Sequence, residues 1–248
     1  MEFDEKKIAQ RTKDVRKSIL DLAQQVPGAH LGGSFSEVEI IVSLYDYVLK
    51  PEDKFILSKG HACFPFYIML KERGYNPKII PHPDLDEKNG IYATTGSLGH
   101  GFPIGVGMAM ARKFKSQPGN IYVLMSDGEC QEGTTWESAL LASKFKLDNF
   151  KLVIDHNKIQ ATNYLENVLP LGDLSRKFKE FGFSSDYVDG HSIPELVDSF
   201  NYYERDKPRA IIANTIKGKG ISFMENKPEW HAKKPSKEQI EQARRELQ

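Results

Sequence analysis

The apolar residues along the chain change period repeatedly, and the changes predict an α/β protein in which helices alternate with short buried strands. Residues 4–26 set Ile8, Val15, Ile19, Leu22 and Val26 among charges, an amphipathic helix that Pro27 and Gly28 stop. A glycine-bearing loop runs from Gly28 to Ser34, and Ser36 can cap a helix over 37–49 with Glu39 in its first turn. Apolar-rich stretches at 55–57, 121–125, 150–154 and 209–216 read as strands, and 185–188 as a further short one. Residues 64–70, 102–115, 134–145, 172–181 and 194–204 read as helices, and 236–247 as a solvated terminal helix. The Pro-, Asp- and Lys-rich stretch 76–90 and the polar stretch 160–170 read as loops. No repeat or linker divides the chain, so the expectation is one domain spanning 1–248, with a mostly parallel central sheet and helices on both faces.

The segment 121–160 carries the chemistry. Strand, helix and strand in that order force a right-handed parallel crossover, so both strands end on one edge of the sheet. Asp127 follows the first strand and Asn157 the second. Open α/β sheets bind ligands at that edge. A carboxylate and an amide oxygen brought together there suit a hard cation such as Mg2+, whose shell phosphate oxygens and water usually complete. Asp127 taken alone could equally be a helix cap.

Composition narrows the setting. The chain has 248 residues, with 34 basic and 34 acidic side chains, so bulk charge favours neither nucleic acid nor an anionic membrane. Cys63 and Cys130 have no metal-type spacing. The charged N-terminus lacks the apolar core of a signal peptide, and no apolar run reaches the ~20 residues of a membrane span. A reduced, cytoplasmic protein is expected.

Most of the seven histidines, among them His30, His61, His82, His100 and His231, sit in or beside turns rich in glycine or proline. Imidazoles gathered at one cleft would serve as phosphate donors or proton shuttles, but their spacing does not suit zinc. Gly96-Ser97-Leu98-Gly99 matches neither a P-loop nor a clean dinucleotide fingerprint, and alone is as readily a helix entry as a ligand cradle. Glu132 and Glu137 open a helix, where the macrodipole already favours acids. Lys217 and Lys219 read most simply as a solvated turn.

Together these motifs resemble the N-terminal, diphosphate-binding part of transketolase, and more closely the N-terminal subunit of split, two-chain transketolase-like enzymes. The family's Gly-Asp-Gly signature with a later asparagine stands here as Ser126-Asp127-Gly128 and Asn157, with Glu132-Gly133, Glu137 and Asp155-His156-Asn157-Lys158-Ile159 in the family's order. The resemblance implies thiamine diphosphate held with Mg2+ (or Ca2+ or Mn2+). Asp127, Asn157 and the Ile159 carbonyl would be the metal ligands, and Gly128 and Glu132 would lie near the cofactor. Ser-Lys-Gly-His implies His61 beside the cofactor, and Thr-Gly-Ser-Leu-Gly implies Gly96, Ser97 and Leu98 at its aminopyrimidine. His30, His61, His82 and His231 would line the substrate funnel as catalytic hydrogen-bond donors, His231 also near the diphosphate. Three positions depart from the family pattern: Ser126 replaces a glycine, Leu31 a proline and His100 a frequent glutamine.

The resemblance further implies that the pyrimidine-binding domain and its catalytic glutamate lie on a partner chain, in an assembly of α2β2 type. The expected activity is transfer of a two-carbon ketol unit from a ketose, phosphorylated or not, to an aldehyde acceptor. A related enzyme with a 2-oxoacid donor and a non-catalytic subunit that keeps the fold remain alternatives.

Overall fold

The computed structural model describes residues 3–26, 28, 30–161 and 163–248, so the expected stop at Pro27 lies outside the described residues. Five strands form one sheet in the order β1-β2-β3-β5-β4, and every pairing is parallel. They are β1 (Lys54–Leu57), β2 (Ile121–Ser126), β3 (Phe150–His156), β4 (Ser184–Asp189) and β5 (Arg209–Asn214). Because all are parallel, their C-terminal ends share one edge, as the crossover argument requires.

The helices split between the faces. α1 (Glu5–Gln25), α2 (Leu31–Ser36), α3 (Val38–Ser43), α4 (Phe64–Glu72) and α9 (Ile193–Asn201) bury apolar residues in one core, with Tyr122, Leu124, Val153, Ile211 and Ala213 from the sheet. α5 (Gly101–Phe114), α6 (Gly133–Lys144), α7 (Leu165–Val168) and α8 (Leu174–Glu180) contribute to the other, with Val123, Met125, Leu152, Ile154 and Ile212. Alternate residues of β1, β2, β3 and β5 enter opposite cores, the period-2 geometry of a sheet covered on both sides, while the edge strand β4 adds Val188 to the first. α10 (Lys237–Glu246) ends the chain and is capped by Ser236, whose hydroxyl accepts from the Gln239 amide. Among the described residues no helix is long and apolar enough to cross a membrane.

Two expectations about the N-terminal third need correction. The expected loop ending at Ser34 is helical from Leu31, and the expected helix over 37–49 is interrupted. α2 ends at Ser36, Glu37 breaks the helix at φ −94° and ψ 5°, and α3 passes into a π turn at Leu44–Val48. Packing overrides the poor helix propensity of Leu31-Gly32-Gly33: a Cβ on Gly32 would stand 2.8 Å from the Trp230 carbonyl oxygen. Ser36 does not cap α3. Its hydroxyl donates within the protein interior, to the Gly33 carbonyl at 3.0 Å and the Asp155 carboxylate at 2.6 Å. The polar stretch 160–170 holds the short helix α7, and the loop at Glu229-Trp230-His231 is a 3-10 turn over Pro228–His231. Elsewhere the expected elements are present, with ends moved by a few residues.

Candidate active site

Four strands each present a polar group just beyond their C-terminal ends. Lys59 follows β1, Asp127 follows β2, Asn157 follows β3, and Lys217 lies three residues past β5. All four line one cavity of about 260 Å3, which Gly33, Ser126, Gly128, Ile159, Gln160 and Ala161 also border. His30, His61, His82, His231, Gly96 and Leu98 complete its wall.

Asp127 is almost wholly buried. Its carboxylate accepts from the Gly128 amide at 2.8 Å, the Lys158 amide at 2.7 Å and His156 Nδ1 at 3.1 Å. Asn157 has its oxygen against the Ile159 amide at 3.1 Å, and its amide nitrogen donates to Asp155 at 3.1 Å and Ser36 at 3.3 Å. Those two donor bonds fix which end of the amide is the nitrogen and which the oxygen. Among the described residues no three His, Cys, Asp or Glu side chains are arranged to hold a metal ion. The oxygens of Asp127, Asn157 and Ile159 around one cavity are nevertheless the donor chemistry of a hard cation.

Beneath this floor lies a charged cluster. Lys59, 1% exposed, donates to the Asp155 carboxylate and to the Gly33 carbonyl at 3.2 Å, and stands 3.0 Å from the Glu37 carboxylate. Asp155 also accepts from Thr215 and Ser36. Glu37 has no aligned hydrogen-bond donor. Burial, only partly offset by Lys59 and reinforced by the Asp155 charge, pushes the Glu37 carboxyl up to about 8. Burial works against the Lys59 charge as well, but Asp155 and Glu37 outweigh it and hold the ammonium above its usual range.

The four histidines expected at the substrate funnel do converge. The His30 ring lies 5.6 Å from His61, 5.9 Å from His82 and 5.3 Å from His231, and His61 lies 5.2 Å from His231, between ring centres. Burial lowers the affinity of His30, His61 and His231 for a proton, and neighbouring cations lower it further, bringing His231 to about 3. Neutral imidazoles each offer one N–H donor and one acceptor. Lys217 Nζ donates to the Ile159 carbonyl at 2.9 Å and meets His231 Nδ1 at 2.7 Å, and burial followed by the Lys59 charge brings this ammonium down to about 8.

Lys217 therefore corrects the expectation of a solvated turn: it is 2% exposed. Glu132 and Ser97 are exposed and stand outside the cavity lining, while Gly96 and Leu98 belong to it. His100, the exposed N-cap residue of α5, is likewise outside it. The buried glutamate of the turn after β2 is Glu129, bonded to Ser58, Ser126 and the Gly99 amide. It ties the ends of β1 and β2 to the loop that carries Gly96 and Leu98. Sequence reasoning does not assign Lys59, Lys217, Asp155 or Glu37 to the site. The strand-end rule that selects Asp127 and Asn157 would also select Lys59 and Lys217 if applied to β1 and β5. Nothing in the sequence marks Glu37.

Residues 8–248 match the family described as transketolase, thiamine diphosphate binding domain. An apulose-4-phosphate transketolase subunit of Actinobacillus succinogenes is 37% identical across all of this chain and 97% of its own length. The 6-deoxy-6-sulfo-D-fructose transketolase subunit of a Clostridium species (strain MSTE9) is also 37% identical, over 94% of each chain. Transketolase from Leishmania mexicana superposes with a TM-score of 0.88 at 22% identity, over 97% of this chain and 41% of that enzyme.

Proposed function

Because the chain belongs to the transketolase family through its thiamine-diphosphate-binding domain, we propose that it is the diphosphate-holding subunit of a two-chain enzyme that moves a two-carbon ketol unit from a ketose to an aldehyde. The observation that carries this reading is the strand-edge cavity, where three oxygen donors for a cation, two ammonium groups and four histidines meet. Thiamine diphosphate, when bound, supplies the carbon–carbon bond chemistry. This chain's residues bind and orient. Asp127, Asn157 and the Ile159 carbonyl would hold Mg2+, and the Gly128 amide and Lys217 would face the diphosphate.

His30, His61, His82 and His231 border the space left for a sugar, and the neutral imidazoles of His30, His61 and His231 can both donate to hydroxyls and accept from them. Burial of the cavity floor keeps these contacts in a medium where each is stronger than in water.

A partner supplying the pyrimidine-side groups completes the proposal, since relatives matched along nearly their whole length are themselves named as single subunits of transketolases. The assembly would be α2β2. The sugars in the relatives' names, apulose-4-phosphate and 6-deoxy-6-sulfo-D-fructose, both carry an anionic group and favour an anionic ketose here. A cytoplasmic setting fits the two buried, unpaired cysteines Cys63 and Cys130. The test is a transfer assay with the companion chain, thiamine diphosphate, Mg2+, an anionic ketose and an aldehyde acceptor. Two-carbon transfer that disappears in Asp127→Ala supports the reading. Release of CO2 from a 2-oxoacid with no ketol transfer would replace it with the 2-oxoacid alternative, and activity untouched by Asp127→Ala with the non-catalytic one.

A further inference from the structure

Three segments far apart in sequence meet behind the turn that carries Lys217. His191 follows β4, Glu39 lies in the first turn of α3, and Arg16 belongs to α1. The Gly190 amide donates to the Asn214 carbonyl at 2.8 Å, and a Cβ on Gly190 would stand 2.8 Å from that same oxygen, so the loop after β4 lies flush against the end of β5. His191 is thereby set beside Ile216, the residue before Lys217. Its imidazole is engaged at both nitrogens: the Ile216 amide donates to Nε2 at 2.9 Å, and Nδ1 stands 2.8 Å from the Glu39 carboxylate. A backbone N–H can only donate, so Nε2 presents its lone pair, and the ring hydrogen is on Nδ1 and is given to Glu39.

Glu39 is held in its turn. Arg16 donates to both of its oxygens, from Nη1 at 2.7 Å and Nη2 at 2.9 Å, the bidentate geometry of a strong pair. Both side chains are buried. Burial works against the Glu39 charge, but His191 and Arg16 outweigh it and hold the carboxyl below its usual range. Arg16 Nε donates onward to the Lys219 carbonyl at 2.9 Å. One connected set of bonds therefore runs from Ile216 through His191, Glu39 and Arg16 to Lys219, and closes on both ends of the turn 216–219. Lys217 sits inside that frame. Its ammonium would be better solvated outside the protein, yet it points inward to the Ile159 carbonyl and His231. Asn226 and Gly32 hold the far side of the turn through backbone bonds at 3.0 Å. Among the described residues the Ile216 amide has no backbone acceptor, so His191 fixes the turn where it leaves β5. His191, Glu39 and Arg16 do not line the cavity themselves and reach it only through this turn.

We propose that His191, braced by Glu39 and Arg16, is a positioning residue whose bond to the Ile216 amide keeps Lys217 in the cavity. The inference rests on the functional reading above only in giving Lys217 the cofactor diphosphate to face. The relay from His191 to Lys217 stands on the geometry alone.

The first test reads Lys217 itself. Wild type, His191→Leu and His191→Gln are treated with acetic anhydride, and the acetylation rate of each lysine is followed by mass spectrometry. Buried Lys217 should be protected in wild type. His191→Leu should acetylate Lys217 about 10-fold faster, the worth of one lost hydrogen bond, while Lys59 in the floor stays protected. His191→Gln, whose amide can accept from Ile216 and donate to Glu39, should keep Lys217 protected. Nitrogen-15 spectra of the wild-type ring should place its hydrogen on Nδ1. A hydrogen on Nε2, or unchanged protection of Lys217 in His191→Leu, would overturn the proposal. So would Lys59 and Lys217 becoming reactive together, which would give His191 a role in the fold alone. A second test separates the relay from the functional reading: calorimetric titration of thiamine diphosphate with Mg2+ into this chain mixed with its companion. His191→Leu and Lys217→Met should each weaken binding about 10-fold, and the double variant no more than Lys217→Met alone. Losses that multiply would overturn the relay. Binding unaffected by Lys217→Met, or absent from every mixture, would overturn the cofactor-facing role of Lys217 and leave the relay standing on the acetylation result.

Discussion

Glu37→Gln tests the electrostatics beneath the site most sharply. Glu37 is wholly buried, with Lys59 3.0 Å away and no aligned donor, while Lys59 is committed to Asp155. Its carboxyl rises from 4.5 to about 8, with burial the main cause. The unfolded chain ionises this group near pH 4.5 whereas the folded chain keeps its proton to about pH 8, so folding takes up a proton across that window. Stability is therefore lost as pH rises, by about 1.4 kcal/mol per unit between pH 4.5 and 8. The loss accumulates to on the order of 4–5 kcal/mol, against a total stability of roughly 5–15 kcal/mol. Glutamine mimics the protonated form and takes up no proton. The stability difference between Glu37→Gln and wild type should grow in the variant's favour from pH 5 to pH 8 and then level off. Urea unfolding followed by tryptophan fluorescence at half-unit pH steps measures it. A difference independent of pH would mean that Lys59 neutralises both carboxylates, and the reasoning would fail.

At pH 7 Lys59→Met leaves the Asp155 carboxylate buried without its cation, and should lower stability by about 3–5 kcal/mol, read from the urea midpoint. Gly96 has φ +145°, and a Cβ there would stand 2.8 Å from the His82 ring, so Gly96→Ala should cost about 1–3 kcal/mol and raise KM for the ketose more than it lowers kcat. His231 binds a proton only near pH 3 in the folded chain but near pH 6.5 when unfolded, so stability falls as pH drops through that window. His231→Asn should then gain about 2–3 kcal/mol relative to wild type between pH 7 and pH 4.5, and the His231 ring resonances should not titrate between pH 5 and 8.

The middle of the sheet is legible in the sequence because β2, β3 and β5 are buried on both faces and read as apolar-rich runs bounded by turns, whereas the partly exposed edge strand β4 is mostly polar. That periodicity alone sets Asp127 and Asn157 on one edge. The convergence of His30, His61, His82 and His231 is legible only through resemblance, since no local pattern brings together residues separated by as much as the span from His30 to His231. The break at Glu37 is not legible at all. Residues 37–49 have sound helical periodicity, and what interrupts them is tertiary: Ser36 is anchored to Asp155, more than a hundred positions later. Lys217 is misread because a Lys-Gly-Lys-Gly turn looks solvated, whereas tertiary packing against Gly32, the Ile159 carbonyl and His231 buries it. The family motif favours Glu132 over Glu129, yet Glu129 is the one whose carboxylate is enclosed by donors from three residues, Ser58, Gly99 and Ser126.

The central claim is that four strand ends build half of a cofactor site which a second chain completes. Calorimetric titration of thiamine diphosphate in the presence of Mg2+, into this chain alone and into its mixture with the companion, tests that claim most directly. Tight binding that needs both the companion chain and Asp127 is the predicted result. Equally tight binding by this chain alone, or none by the mixture, would contradict it.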